Sequence, residues 1–513
     1  MGGRAWLSLL LLCHPAIRLS AQCPDGSPPP CGAGRSSPSP SPNSVAVLYF
    51  DNLSQDTADV YLADGLTDEI IARLGQIERL QVKSRTAVAR YRRATLAPSE
   101  LGRTLAVAFL VNGTIRRGAG RLKVTVELVS AVNGNRVWGQ QYDRVDADLL
   151  AIEEDIARAV VAGVVGRLAP SERASLAARP TRSAAAYDRY LRGNYALSQR
   201  SEVGLARALA EYQAALRLDS TFASALSRIA YTYASYLALE WAAPGVPPES
   251  LLDRGVATAN RAVRLDSMSS DAWMAQGSLL QFRNPMTFRG VREALERAIA
   301  LDPENADAHH SYGTALLWLG NDSAGEAAFQ RALAIDPARR NTLRFMALLR
   351  LLQHAYAQAL GWADSAVAVD STFLQAHVDR VRARRLLGDT AGARRDADVV
   401  QRLATAGMQR WTEVTRVLAD AAAGKTLEAQ ARADRLYREA GAGDSTGSRL
   451  GFRESAYLAI AQVVAGEPDR ALNTLENVRR WGLLLGGLLR SPEFDVIRDQ
   501  PRFQRLVEQL RPP

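Results

Sequence analysis

Residues 49–71, YFDNLSQDTADVYLADGLTDEII, gather Asp51, Asp56, Asp59, Asp64, Asp68 and Glu69 behind a short apolar run. Carboxylates at this density could hold a divalent cation or act as general acid and base. A calcium loop, however, needs acids at alternate positions and a glycine at the sixth, and DTADVYLADGLT does not supply that spacing. The pattern fits the start of a helix better. Asp51 and Asn52 turn the chain after a strand, and Asp56 and Asp59 favour the helix N-terminus through its dipole. Asp68 and Glu69 are then expected on a solvated face opposite Leu62, Leu66, Ile70 and Leu74. Beyond that structural use, the acids would serve as a docking surface and not in catalysis.

Two further patterns imitate catalytic ones. GDSTG at 443–447 matches the nucleophile pattern G-x-S-x-G, but that motif works on a sharp strand-to-helix turn, and Ser445 stands in a glycine-rich connection between helical stretches. After the first segment, histidine occurs only at His309, His310, His354 and His377, none with the i, i+4 partner and acid of a zinc helix. No glycine-rich phosphate loop followed by Lys and Ser/Thr is present, nor a kinase catalytic-loop triplet. The expectation is no catalytic, cofactor-binding or metal-binding residue.

The elements that would carry such residues follow from composition and periodicity. With 513 residues, 47% of them hydrophobic, the chain can build two or three domains with their own cores. Residues 1–21 read as a signal peptide: an early Arg4, an apolar stretch from Ala5 to Cys13 too short to span a bilayer, and small residues before Gln22. This implies export, with a periplasmic location. Gln22 directly before Cys23 disfavours a lipoprotein, and Cys23 and Cys31 become a candidate disulfide in an oxidising compartment. Residues 22–43 form a Pro/Ser-rich disordered linker. The formal charge of +9 is carried almost wholly by arginine, with no basic block interleaved with aromatics, so no nucleic-acid partner is expected. The apolar run WGLLLGGLL at 481–489 is also too short for a membrane span.

Residues 44–168 alternate between strand and helix periods and end in a long amphipathic helix, which predicts one α/β domain. A linker is expected at 169–183. Residues 184–403 are helical and share a frame: AALRLDS, RAVRLDS, RAIALDP, RALAIDP and SAVAVDS. The frame places Asp219, Asp266, Asp302, Asp336 and Asp370 at spacings of 47, 36, 34 and 34, each four residues after an alanine. Thirty-four residues is the period of the tetratricopeptide repeat (TPR), a helix-turn-helix unit stable only when stacked. EWAAPGVPPES accounts for the longest spacing and the Asn284-Pro285 region for the next. In the unit from Ala306 to Asp336, Gly313 and Gly325 allow close helix approach and Tyr312 and Phe329 fill the hairpin core. Residues 404–513 read as degenerate helical repeats and a tail. The fold class is thus an α/β N-terminal domain plus an all-α TPR superhelix, a right-handed solenoid.

SVAVLYFDNLS, YLADGLTDEII, GRTLAVAFLVNGTIRR, LKVTVELVSAVNG, VWGQQYDR and DLLAIEEDIARAVV together resemble the TolB-like N-terminal domain that precedes TPR arrays in bacterial signalling proteins. Those proteins are associated with adenylate cyclases, serine/threonine kinases and CadC-like transcription activators. AYDRYLRGNYAL resembles that family's bridge to its repeats, and SPEFDVIRDQPRFQRLVEQL resembles its usual ending. No cyclase, kinase or winged-helix pattern accompanies the likeness here.

In a TPR array the first helices line a concave surface. The repeat register places Met274, Phe282, His310, Thr314, Trp318, Asn341, Arg344, Arg382 and Arg385 on it, a mixed groove suited to an extended or helical peptide carrying some acid. Met274, His310, Arg344 and Val378 stand where a chaperone-binding carboxylate clamp would need Lys and Asn, so chaperone tails are not expected. The reading is a non-enzymatic TPR scaffold for protein partners in the bacterial envelope. The alternative is a cytoplasmic regulatory subunit of the cyclase-, kinase- or activator-associated kind.

Overall fold

In this computed structural model the described residues are 40–56, 59–89, 91–92, 96–145, 148–199, 201–404, 409–439 and 452–512. The expected signal peptide, Cys23, Cys31 and Ser445 lie outside them. Ser44–Val47 (SVAV) forms strand β1, buried at all four positions because it sits inside the sheet with helices on both faces. The sheet runs β3-β1-β4-β5-β6, with β2 (Asp51–Asn52) also pairing β4 (Phe109–Gly118). β1 pairs in parallel with β3 (Gln81–Val82) and β4, whereas β4, β5 (Arg121–Ser130) and β6 (Arg136–Val145) form an antiparallel meander. Helices α1 (Val60–Gly75) and α4 (Leu149–Val165) cover one face. α2 (Arg85–Ala89) and α3 (Pro98–Leu105) cover the other through Val88, Leu101 and Leu105.

The segment expected to link the domains holds helix α5 (Pro170–Ala177). The Glu172 carboxylate accepts the Ala169 amide at 2.8 Å, supplying the helix start that Ala169 lacks. The same carboxylate takes a two-pronged contact from Arg79 at 2.8 and 2.7 Å, which fastens α5 to the α/β domain.

Eight helical hairpins follow among the described residues. They are α6 (Ala184–Ser198) with α7 (Glu202–Leu218), α8 (Ala223–Leu239) with α9 (Pro248–Leu265), α10 (Ser270–Arg283) with α11 (Val291–Leu301), and α12 (Ala306–Trp318) with α13 (Asp322–Ile335). Then come α14 (Arg340–Leu352) with α15 (Tyr356–Val369), α16 (Leu374–Leu386) with α17 (Thr390–Leu403), α18 (Gln409–Ala422) with α19 (Thr426–Glu439), and α20 (Phe452–Val464) with α21 (Pro468–Asn477). From α8 to α20 the first helices also pack on one another in succession, so they line the inner side of the stack. Short helices α22 (Gly482–Leu488) and α23 (Pro501–Gln509) end the chain.

The repeated Ala-x-x-x-Asp frame has one structural job. In each of five hairpins the aspartate is the residue that ends the second helix, with φ between −147° and −128°. Its amide donates the last helical hydrogen bond to the alanine carbonyl four residues back, at 2.8–3.1 Å. Its carboxylate accepts the amide two residues on, at 2.9–3.1 Å, which turns the chain toward the next hairpin. The five alanines are fully buried, because any larger side chain would push the stacked helices apart. Gly313 serves the same closeness, since a Cβ there would stand 2.6 Å from Phe329. Tyr312, expected in the hairpin core, is only half-buried, and its hydroxyl donates to Glu296 of the preceding hairpin at 2.9 Å.

The acidic stretch does not present a solvated face. α1 lies between the sheet and α6, where Gly65 packs against Leu191, so both its faces are covered. Asp64 pairs with Arg92 at 2.7 Å and Asp68 with Arg85 at 2.9 Å. Asp59, at the helix start, makes no capping hydrogen bond and pairs with Arg117 at 3.2 Å. Deeper in the junction, Tyr187 of α6 donates its hydroxyl to both Glu153 oxygens at 2.8 Å, and Arg73 stands 3.6 Å from the same carboxylate. Burial pushes Glu69 up to about 7 and Glu153 up to about 8, against the pull of Arg73. One apolar core therefore runs from Val45 through α6–α9 to Leu279 in α10, and a second from Met274 to Leu510. The packing divides at α10, not at the start of the repeats.

Two outcomes test this account. Asp302→Ala removes the carboxylate that holds the Glu304 amide, worth about 1 kcal/mol, so that amide should exchange with solvent hydrogen roughly fivefold faster; Asp302→Asn, which keeps an acceptor, should restore protection. For the junction, carboxyls raised in the folded chain contribute stability that is fully present below the ordinary glutamate value near 4.5. That stability is lost as pH rises through the folded values of about 7 and about 8. The melting temperature should fall as pH is raised from about 5 to about 8, and Glu153→Gln should flatten that fall.

Candidate functional site

The inner side of the later hairpins is where the register places the groove. Trp318 ends α12 and meets Phe345 of α14 edge-on at 6.0 Å between ring centroids. His310, about two turns earlier on the same helix, meets Phe345 edge-on and Phe329 at a tilt, and its Nδ1 lies 3.0 Å from the Thr342 hydroxyl. Thr314 returns its hydroxyl to the His310 carbonyl at 2.9 Å. Met274 and Phe282 belong to the second core, and Asn341 is half-buried at the start of α14. Arg344, Arg382 and Arg385 follow on α14 and α16, in the order expected.

At Pro285, Trp318, Arg382 and Arg385 the inner side is not an open channel, because residues 481–497 fill it. The apolar run that falls short of a membrane span is the filling. Leu483, Leu484, Leu485, Leu488 and Leu489 are each at most 2% exposed, and burying a leucine contributes about 2 kcal/mol. The run's glycines are the points of closest approach. Gly482, at φ +51°, passes the Pro285 carbonyl, where a Cβ would come within 2.3 Å, and Leu483 donates its amide to that carbonyl at 2.7 Å. Gly487 lies flat on Trp318, with 2.5 Å between a built Cβ and the indole ring. Arg490 then closes the end of α12, donating to Asp322 at 2.7 Å and to the Leu317 carbonyl at 3.1 Å.

Past Arg490 the strap delivers a carboxylate to the arginines. Glu493 accepts two parallel hydrogen bonds from Arg382, at 2.9 and 2.8 Å, with both side chains fully buried. Those contacts hold the Glu493 carboxyl below its ordinary value although burial works the other way. Arg344 pairs with Asp379 at 3.0 Å, and the Tyr457 hydroxyl of α20 donates to Asp379 at 3.1 Å. Arg385 reaches Glu493 only at 3.8 Å, and its Nε and Nη2 make no hydrogen bond. A second closure brings the start of α20 to α8: Glu240, in the left-handed region at φ +58°, accepts the Arg453 and Glu454 amides at 2.8 and 3.3 Å.

Arg344 and Arg382 are thus corrected from free groove side chains to buried ion-pair partners, Arg344 of Asp379 on α16 and Arg382 of Glu493 on the chain's own covering segment. Sequence reasoning missed Glu493, Asp379, Tyr457 and the leucines of the strap. A usable signal was there: glycines at 482, 486 and 487 inside an apolar run mark close backbone contact as readily as they mark a loop. Among the described residues no group of three or more His, Cys, Asp and Glu is arranged to hold a metal ion, and no helix is long and apolar enough to cross a membrane.

No family model matches the chain. A Rhizobium meliloti (strain 1021) protein named "Putative adenylate cyclase 3" is 27% identical over 212 residues, 41% of this chain and 36% of that protein. The chain thus spans about a third of that relative's length. Among solved structures it is similar to TTC0263, a TPR protein of Thermus thermophilus, at 19% identity over 40% of this chain and 99% of that one, with a TM-score of 0.32. It is also similar to YrrB, a TPR protein with an unusual peptide-binding site, at 21% identity over 36% and 88%, with a TM-score of 0.24. The type IV pilus biogenesis factor PilW aligns at 17% identity over 42% and 92%, with a TM-score of 0.32. The helical-repeat architecture itself is carried by this chain's own frame and hairpins.

Arg382→Glu would set a third carboxylate beside Glu493 and Asp379 without water. A loss of about 3–5 kcal/mol is expected, read as an earlier urea transition, and the exchanged pair Arg382→Glu with Glu493→Arg should recover part of it. A transition unmoved by Arg382→Glu would show that the pair is not buried.

Proposed function

We propose that this chain is a non-enzymatic scaffold for protein partners, a TolB-like α/β domain followed by a TPR solenoid. The observation that carries the reading is the run of helical hairpins in one phase. Their inner helices present aromatic and arginine side chains to a short helical segment, a geometry by which grooves hold peptides. Its place of action is the bacterial envelope, reached through the N-terminal signal segment, with the periplasm as the compartment. The conversion of a substrate is no part of this proposal.

A second reading has a specific observation in its favour. The relative named as an adenylate cyclase fits a regulatory or signalling subunit that works in the cytoplasm, in keeping with the TolB-like and TPR arrangement of cyclase-associated proteins. Its length match is partial, so the name says nothing of where a cyclase activity would reside.

Two measurements separate the readings. Residues 1–30 fused to a reporter active only after export should give activity under the first reading, whereas an inactive reporter favours the cytoplasmic subunit. The purified full chain given ATP and Mg²⁺ should form no cyclic nucleotide above the buffer rate, and turnover would end the scaffold reading.

A further inference from the structure

We infer that the arginine end of the groove is a receptor site for an acidic peptide bearing a leucine pair, held shut in this chain by its own segment Leu488–Phe494. The inference rests on the scaffold reading and names the ligand chemistry of that groove. Three observations point to it.

The strap binds as a ligand would. It reaches the first helices α12 and α16 through side chains in sequence order: Leu488 and Leu489 in apolar burial near Trp318, Arg490 at the end of α12, and Glu493 between Arg382 and Arg385 of α16. That is side-chain readout of a short segment made of the end of α22, a turn and a 3-10 helix over Pro492–Ile497, and a helical segment laid in a groove is one of the modes of peptide recognition.

The charge on the receptor side exceeds what the strap provides. Arg344, Arg382 and Arg385 converge from α14 and α16, and Asp379 occupies Arg344. The single carboxylate of Glu493 is spent on Arg382, leaving Arg385 at 3.8 Å with two donors unmatched. An incoming peptide with acid at this point finds two guanidinium groups, one of them poorly satisfied. A basic or neutral peptide would leave two buried cations without a counter-charge, a cost large enough to exclude it.

Two of the strap's contacts can be removed from the strap side alone. Gly487 on Trp318 tolerates no side chain, and Glu493 is the strap's one carboxylate on Arg382. Loss of either contact should weaken the segment's hold, which Leu488, Leu489, Arg490 and Phe494 share, without removing any groove residue. Binding a partner then requires only that the partner outcompete a tethered segment, which acts at the high effective concentration of an intramolecular ligand.

The test uses the full chain and a fluorescein-labelled peptide copying residues 486–499, GGLLRSPEFDVIRD. Two separate variants open the groove: Gly487→Leu, which collides with Trp318, and Glu493→Gln, which removes the strap's charge. By fluorescence anisotropy both variants should bind the peptide at least tenfold more tightly than wild type. A peptide with glutamine at its glutamate should bind each variant at least tenfold more weakly, the loss expected for a charged hydrogen-bond pair. Equal binding by wild type and variants would overturn the inference, as would indifference to the glutamate. So would failure of Glu493→Gln to bind while its circular dichroism stays native, and that variant decides the matter if Gly487→Leu does not fold. Cyclic nucleotide formation by a chain that still captures the peptide would sink the scaffold reading alone.

Discussion

Arg382 has no path to water, and its charge has to be met inside the protein. Removing a guanidinium from solvent costs several kcal/mol, which is recovered only if a carboxylate arrives in good geometry. Glu493 does so from 111 residues further along the chain. For it to reach that point, the leucines before it must lie in the groove, the glycines must let the backbone touch Trp318 and Pro285, and α20 must bring Tyr457 to Asp379. The pair therefore fixes the position of the whole C-terminal segment, and the segment in turn decides whether the groove is open.

The same logic governs the other end of the array. The acids of α1 are covered too: Asp64 and Asp68 meet arginines at and just after α2, and burial pushes Glu69 toward its neutral form. Glu153 lies in the junction with a tyrosine hydroxyl on both oxygens, in a setting where burial outweighs the nearby arginine. Because one core passes from the sheet through the first hairpins, the α/β domain is not a bead on a linker. It closes one end of the inner face and the strap fills the other. A contact from Ser84 to the Ile335 carbonyl, at 2.6 Å, ties the domain to the fourth hairpin as well. The stack is thereby bridged at Ser84, at Glu240 and at Glu493, three points far apart in sequence.

Much of the architecture was legible in the sequence, because its rules are local. The five Ala-x-x-x-Asp frames encode a helix end, a buried contact and a turn within six residues, so their spacing gives the hairpins. Strand and helix periods gave the sheet elements and α4 in the same way. The register of 3.6 residues per turn also put the groove residues on the inner helices. Helix α5 was missed although its start, Pro170 with the Glu172 carboxylate on the Ala169 amide, is local; what the fold adds is Arg79, 93 residues before Glu172, which fastens it to the α/β domain.

What only the tertiary structure decided is what covers each of those faces. Periodicity says that Asp68 and Glu69 sit opposite the leucines of α1, and it cannot say that a second helix lies there. It says that Arg382 and Arg385 point to the inner side, and it cannot say that residues 481–497 return to meet them. An amphipathic pattern records one neighbour, the core its own hairpin makes. A second neighbour supplied from a hundred residues away leaves its mark only as separate halves, a glutamate here and an arginine there, and the halves acquire meaning when the chain brings them within hydrogen-bonding distance.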